Sequence, residues 1–142
     1  MIYFDSRYLA KLYLWEPDSE RVRTRAEASD GLVCCATGRG ELVATFHRHF
    51  REKRLTQREF KQLCAQVELD LDAGLWTVLP VTTAVMEDQA RRIAALSAEV
   101  FLRAADALHL TCAAEAGLHE VYSSDRHLVA AAPHFGLRAV TL

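Results

Sequence analysis

The stretch Met1–Ser6, MIYFDS, runs apolar, strand-type residues directly into a carboxylate and a hydroxyl. Its pattern recurs along the chain, and that recurrence decides the fold. Leu32–Ala36 (LVCCA), Trp76–Val81 (WTVLPV), Glu120–Ser124 (EVYSS) and Leu137–Leu142 (LRAVTL) are further short apolar runs, each too brief for a helix. Between them the spacing turns helical. Residues from Ser6 to Trp15 form a first helix, broken by Glu16-Pro17-Asp18, and Ser19 can cap a second helix whose first apolar residue is Val22. Leu42, Val43, Phe46 and Phe50 share one helical face, and Thr56-Gln57-Arg58-Glu59 has the capping-box spacing for a helix reaching Gly74. Thr83 to about Leu96 and Phe101 to Gly117 give two more helices, and a short one follows Asp125. Parallel neighbours require crossovers, and short strands alternating with helices supply them. The expected class is therefore α/β, with a parallel sheet covered on both faces.

At 142 residues the chain is long enough for one domain with a real core, and its 51% hydrophobic and 25% charged residues argue against disorder. The apolar runs fall short of the roughly twenty residues that span a bilayer, and Met1 leads into a strand rather than a basic leader, so a cytoplasmic protein with no membrane partner is expected. The four cysteines, Cys34, Cys35, Cys64 and Cys112, have no Cys-x-x-Cys spacing and read as buried small hydrophobes. A net charge of −2 gives no general affinity for nucleic acid, so phosphate contacts must come from local basic clusters.

In a parallel sheet the C-terminal strand ends share one edge, where ligands bind. Asp5 follows the first strand, Asp125 follows the fourth, Glu41 lies in the first turns of the helix after the second, and Asp106 lies near the start of the helix leading to the fourth. A lone aspartate at a strand end is most simply a helix cap. Asp106 is flanked by apolar neighbours and needs a partner, either Arg103 or a shared metal ion. Clustered carboxylates repel one another unless a cation neutralises them, and hard oxygen donors without cysteine or histidine at ligand spacing favour Mg²⁺ or Mn²⁺. Such a site suits a nuclease or a phosphatase.

With MIYFDS at the start, Glu41 leading a helix, LRAADALHL at 102–110 and YSSDRHL at 122–128, the chain resembles PIN-domain ribonucleases, and among them the VapC toxins of bacterial toxin-antitoxin modules. The resemblance covers essentially the whole length and implies a single PIN domain over residues 1–142 with a five-stranded parallel sheet. It implies an endoribonuclease whose Mg²⁺ or Mn²⁺ is held by Asp5, Glu41, Asp106 and Asp125, with Ser6 and Ser123 as supporting hydroxyls. It also implies RNA as substrate, a VapB-type antitoxin as partner and a homodimer. Two features depart from the family: Arg7 replaces the small residue expected after Ser6, and Gly38 and Gly40 fall where a helix should begin. Arg7 can compete with the metal by pairing with an acid, or grip an RNA phosphate; Arg103 is a second arginine placed to do either.

An aspartate-nucleophile phosphatase would need a second aspartate where Arg7 stands. A PIN-like module with an impaired metal site, binding RNA or protein, is the non-enzymatic alternative. His109 lies one turn after Asp106 and reads as helix packing, while His127 and His134 read as solvated. The basic run His47, Arg48, His49, Arg51, Lys53, Arg54 reads as a solvated helix end, with RNA phosphate or an acidic partner segment as the alternative. The stripe Phe60, Leu63, Val67, Leu71 reads as core packing; any part of it left open beside Phe46 and Phe50 would form a groove for a partner helix.

Overall fold

The computed structural model describes residues 1–142. The elements follow one another as β1 (Ile2–Phe4), α1 (Ser6–Tyr13), α2 (Ser19–Glu27), β2 (Leu32–Cys35), α3 (Ala36–Arg51), α4 (Gln57–Asp72), β3 (Thr77–Leu79), α5 (Thr83–Ala94), α6 (Ala104–Glu115), β4 (Glu120–Tyr122), α7 (Arg126–Ala131), a 3₁₀ turn over Ala132–Phe135, and β5 (Arg138–Val140). The strands form a single five-stranded, all-parallel sheet in the order β3-β2-β1-β4-β5. The α/β class and the five parallel strands agree with the sequence reading. No helix is long and apolar enough to cross a membrane.

The order places β1 in the centre, with the chain first stepping outward through β2 and β3 and then returning to the other side of β1 for β4 and β5. Every residue of β1 and β2 is buried, as expected for strands covered on both faces. Tyr3, Phe4, Tyr8, Leu9, Leu42, Phe46, Leu110 and Val121 are completely enclosed. The Thr56 capping box forms as read: the Thr56 hydroxyl accepts from the Glu59 N–H and the Glu59 carboxylate accepts from the Thr56 N–H. The α4 stripe packs on the core through buried Val67, with Phe60, Leu63 and Leu71 half-buried; Phe60 stacks on Phe50 and Phe46 faces inward.

Three local readings need correction. Ser19 does not cap α2. The preceding Asp18 takes a left-handed φ of 67°, and the Ser19 hydroxyl instead donates to the Leu14 carbonyl and accepts from the Glu16 N–H, tying the turn. Residues 101–103 lie outside α6, because Arg103 is extended at the N-cap, so Asp106 occupies the first helical turn. The basic run is not uniformly solvated either, since His49 is buried and faces Glu16 at 3.8 Å.

The helix α3 begins at Ala36, so Gly38 and Gly40 both lie inside it. Their reasons differ. A Cβ on Gly38 would stand 2.2 Å from the Cys34 sulfur and 3.1 Å from Cε1 of His109, whereas one on Gly40 meets nothing within 4 Å. Gly38 thus lets α3 close onto β2 and α6, while Gly40 carries only the helical cost of glycine. We expect Gly40→Ala to raise the melting temperature by a few degrees, corresponding to about 0.5–1 kcal/mol, and Gly38→Ala to lower it through about 1–3 kcal/mol of overpacking. Melting curves of the two variants showing the same sign would refute this division.

Candidate acidic site

The strand order reverses across β1, and the crevice outside the carboxyl ends of β1 and β4 is where the sheet opens. Asp5 leaves β1 there, its N–H still bonded to the Tyr122 carbonyl of β4 at 3.1 Å. A cleft of about 250 Å³ at this point is lined by Asp5, Ser6, Arg7, Glu41, Arg103, Asp106 and Asp125, with Thr45, Arg48 and His109 also in its wall. The four acids picked out in the sequence are therefore neighbours. Arg48 belongs to the run read as solvated, and its place in this wall is a second exception to that reading.

Asp5 and Asp125 do cap helices, and they line the cleft as well. Asp5 Oδ1 accepts from the Tyr8 N–H at 2.8 Å, and Asp125 Oδ1 accepts from the N–H groups of His127 and Leu128 at 2.9 and 3.3 Å. Ser123 joins the two: its hydroxyl donates to Asp5 Oδ2 and its oxygen accepts from the Asp125 N–H at 3.0 Å. Oδ2 of Asp125 faces two cations, Arg7 at 3.5 Å and Arg103 at 3.9 Å, and Arg103 Nε lies 3.6 Å from Asp106. Arg7 thus leans on an acid.

Burial raises the carboxyl of Asp5 above its ordinary range, against the hydrogen bonds from Ser123 and Tyr8. Asp106 is raised by burial and by the nearby charge of Asp125, with Arg103 opposing. The other pair moves down. Burial would raise Asp125, but the His127 and Leu128 amides and the two arginines outweigh it. Burial would raise Glu41 too, and the hydrogen bond from His109 prevails.

His109 is not mere helix packing. Its Nε2 lies 2.9 Å from Glu41 Oε2, while Nδ1 meets the Tyr3 hydroxyl at 2.8 Å. Burial disfavours the charged ring, yet bonds to the Cys35 sulfur and Glu41 push it up to about 10. The only sequence signal for this role was an imidazole one turn from Asp106 on an otherwise apolar helix. Cys34 and Cys35 lie beside the same ring, and both are buried free thiols. His127 is half-buried against Phe101, with ring centroids 4.5 Å apart, and His134 is exposed.

The donors fit a hard divalent cation: carboxylate oxygens converge from four separate helices or their caps, burial and then repulsion raise one of them, and guanidinium groups provide the positive charge on another. The family model described as PIN domain matches residues 2–132. No curated protein matches the chain. Among solved structures, VapC20 of Mycobacterium tuberculosis, described as a Sarcin-Ricin loop cleaving toxin, superposes with a TM-score of 0.71 at 17% identity over 92% of this chain and 95% of that one. FitAB bound to an IR36 DNA fragment superposes with a TM-score of 0.72 at 16% identity over 99% of this chain and 94% of that one.

The raised value of Asp106 has a pH signature. A carboxyl raised in the folded state favours folding while protonated, and that advantage is lost as the pH rises through its folded value. In chelator, Asp106→Asn and the parent should melt together at acid pH, with Asn pulling ahead as the pH rises to neutrality. A gap that stays flat, or that favours the parent at neutral pH, would refute the assignment.

Proposed function

The chain belongs to the PIN-domain family, and from that premise we propose that it is a metal-dependent endoribonuclease acting as the toxin of a type II toxin-antitoxin module. The observation that carries the reading is the convergence of Asp5, Glu41, Asp106 and Asp125 on one cleft at the switch point of the sheet. These carboxylates would hold Mg²⁺ or Mn²⁺. A cation bound there supplies an activated water and offsets the charge that builds on the phosphoryl group in the transition state.

The chain's own residues do the rest. Ser123 ties the Asp5 carboxylate to the backbone of Asp125, and Ser6 stands in the cleft wall as a supporting hydroxyl. Arg7, Arg48 and Arg103 reach the cleft wall from α1, α3 and the N-cap of α6, where guanidinium groups can take RNA phosphates in a two-pronged grip. A net charge of −2 leaves this local set to supply the attraction to RNA.

The relation to VapC toxins extends the proposal to a VapB-type antitoxin and a homodimer. A cleft lined by Tyr13, Leu14, Trp15, Leu55 and Leu63, with Glu59, Gln62 and Gln66 also in its wall, offers such a partner a surface, and its Trp15 is 81% exposed.

Asp106→Asn tests the catalytic reading, because it removes a charge without opening a cavity. RNA cleavage in Mn²⁺ should fall by more than about 100-fold, beyond the loss typical of a group one step removed from a metal, while the variant still melts cooperatively. Cleavage at the parent's rate would dismiss the acids as catalytic.

The ion pair between Arg7 and Asp125 favours a second reading, in which the chain is a binding module whose arginines have displaced the metal. Titration calorimetry separates the two. If Arg7 only competes, Arg7→Ser should tighten Mn²⁺ binding about three- to fivefold, equivalent to about 1 kcal/mol for an exposed ion pair. Equal or weaker affinity would rule out competition and leave phosphate gripping as the role of Arg7.

A further inference from the structure

We propose that His109 is a positioning residue for Glu41: the imidazole, itself fixed by Tyr3, holds the Glu41 carboxylate toward the cleft and thereby sets how tightly the acidic site takes a divalent cation. The inference rests on the metal-nuclease reading and adds to it a residue outside the four acids.

Glu41, unlike Asp5 and Asp125, has no backbone amide on its carboxylate. It projects from the first turns of α3 on a long side chain that is 37% exposed, whereas Asp5 and Asp125 are locked by backbone amides. A free glutamate in such a place would sample several rotamers in water. The His109 Nε2 at 2.9 Å removes that freedom, and the ring that does so is buried on α6, one turn after Asp106. A carboxylate only accepts, so Nε2 carries the proton in either charge state of the ring.

The ring is held at its other end too. Nδ1 bonds the Tyr3 hydroxyl at 2.8 Å, with the Cys35 sulfur at 3.5 Å, and the Tyr3 oxygen accepts from the Cys35 N–H at 3.1 Å. Tyr3 meets the imidazole edge-on, with an interplanar angle of 82°. Gly38, one turn before Glu41 on α3, lets the helix backbone approach Cε1 so closely that a Cβ there would stand only 3.1 Å away. The orientation of Glu41 is thus anchored to β1, to the end of β2 and to α6 at once. Groups that orient a metal ligand in this way commonly change metal affinity or activity by 10–100-fold when removed.

Four variants and two readouts test the proposal. Mn²⁺ affinity by calorimetry should fall 10–100-fold in His109→Leu, recover to within a few-fold of the parent in His109→Gln, whose amide can still donate to Glu41, and lie between the two in Tyr3→Phe. In the metal-free protein, ¹⁵N NMR should show an imidazole Nε2–H protected from exchange that loses its protection in Glu41→Ala. A folded His109→Leu with Mn²⁺ affinity within twofold of the parent overturns the proposal, as does equal loss in Leu and Gln, which would mark a purely structural histidine. If His109→Leu does not fold, parent-like Mn²⁺ affinity in Tyr3→Phe overturns it instead. A parent that takes up no Mn²⁺ refutes the metal-nuclease reading, and the protected resonance then decides the hold on Glu41: its presence supports that hold and its absence overturns it.

Discussion

The arrangement depends on β1 being paired in parallel on both edges. Tyr3 is in register with Val33 of β2 on one side and with Val121 of β4 on the other. Backbone bonds on both edges leave the strand no freedom to slip, and a slip of one residue would turn Tyr3 and Asp5 to the opposite face. With the register fixed, Asp5 emerges level with the end of β4, where Ser123 and Asp125 follow. The same topology obliges the chain to cross from the β3 edge back to β4, and α6 lies along that return, packed against β2 and β4. Asp106 and His109 arrive at the crevice because the crossover must pass it.

The protein keeps like charges together by giving each a different environment. Asp125 sits among amides and guanidinium groups that favour its ionised form, while Asp106 and Asp5 are raised by burial. Pairs of acids pushed in opposite directions are a common feature of sites that bind cations or move protons. Hydrogen bonds from Ser123 and the cap amides offset part of the desolvation cost, and neutral donors of this kind leave the carboxylate charge available to a cation. The arginines on Asp125 do the opposite, neutralising what a metal would neutralise.

Much of this was legible because it is local. Each strand is an apolar run closed by a polar or turn residue, the Thr56 box needs only four consecutive residues, and Asp5 and Asp125 follow directly from where strands end, with Glu41 and Asp106 near the starts of helices. Other features depended on contacts that no spacing records. His109 could be seen one turn from Asp106, but its partners Glu41 and Tyr3 lie 68 and 106 positions away. Ser19 has the composition of a cap, yet the left-handed Asp18 redirects its hydroxyl to Leu14 and Glu16. Arg48 looked like one more charge on a solvated helix end, and only the approach of α3 to the crevice turns it into the wall. Gly38 and Gly40 are alike in sequence, and they differ solely in what lies across from them.

The two arginines that face Asp125 have side chains 61% exposed, while the acid itself is held through its cap bonds and the Ser123 bridge. That contrast sets the clock of the cleft. Exposed side chains change rotamer in picoseconds to nanoseconds, whereas a shift of strand or helix takes microseconds or longer. Exchanging a guanidinium for an incoming cation or a phosphate therefore requires no backbone rearrangement. The arginines can let go of Asp125 while the strands and helices that hold the four acids stay where they are.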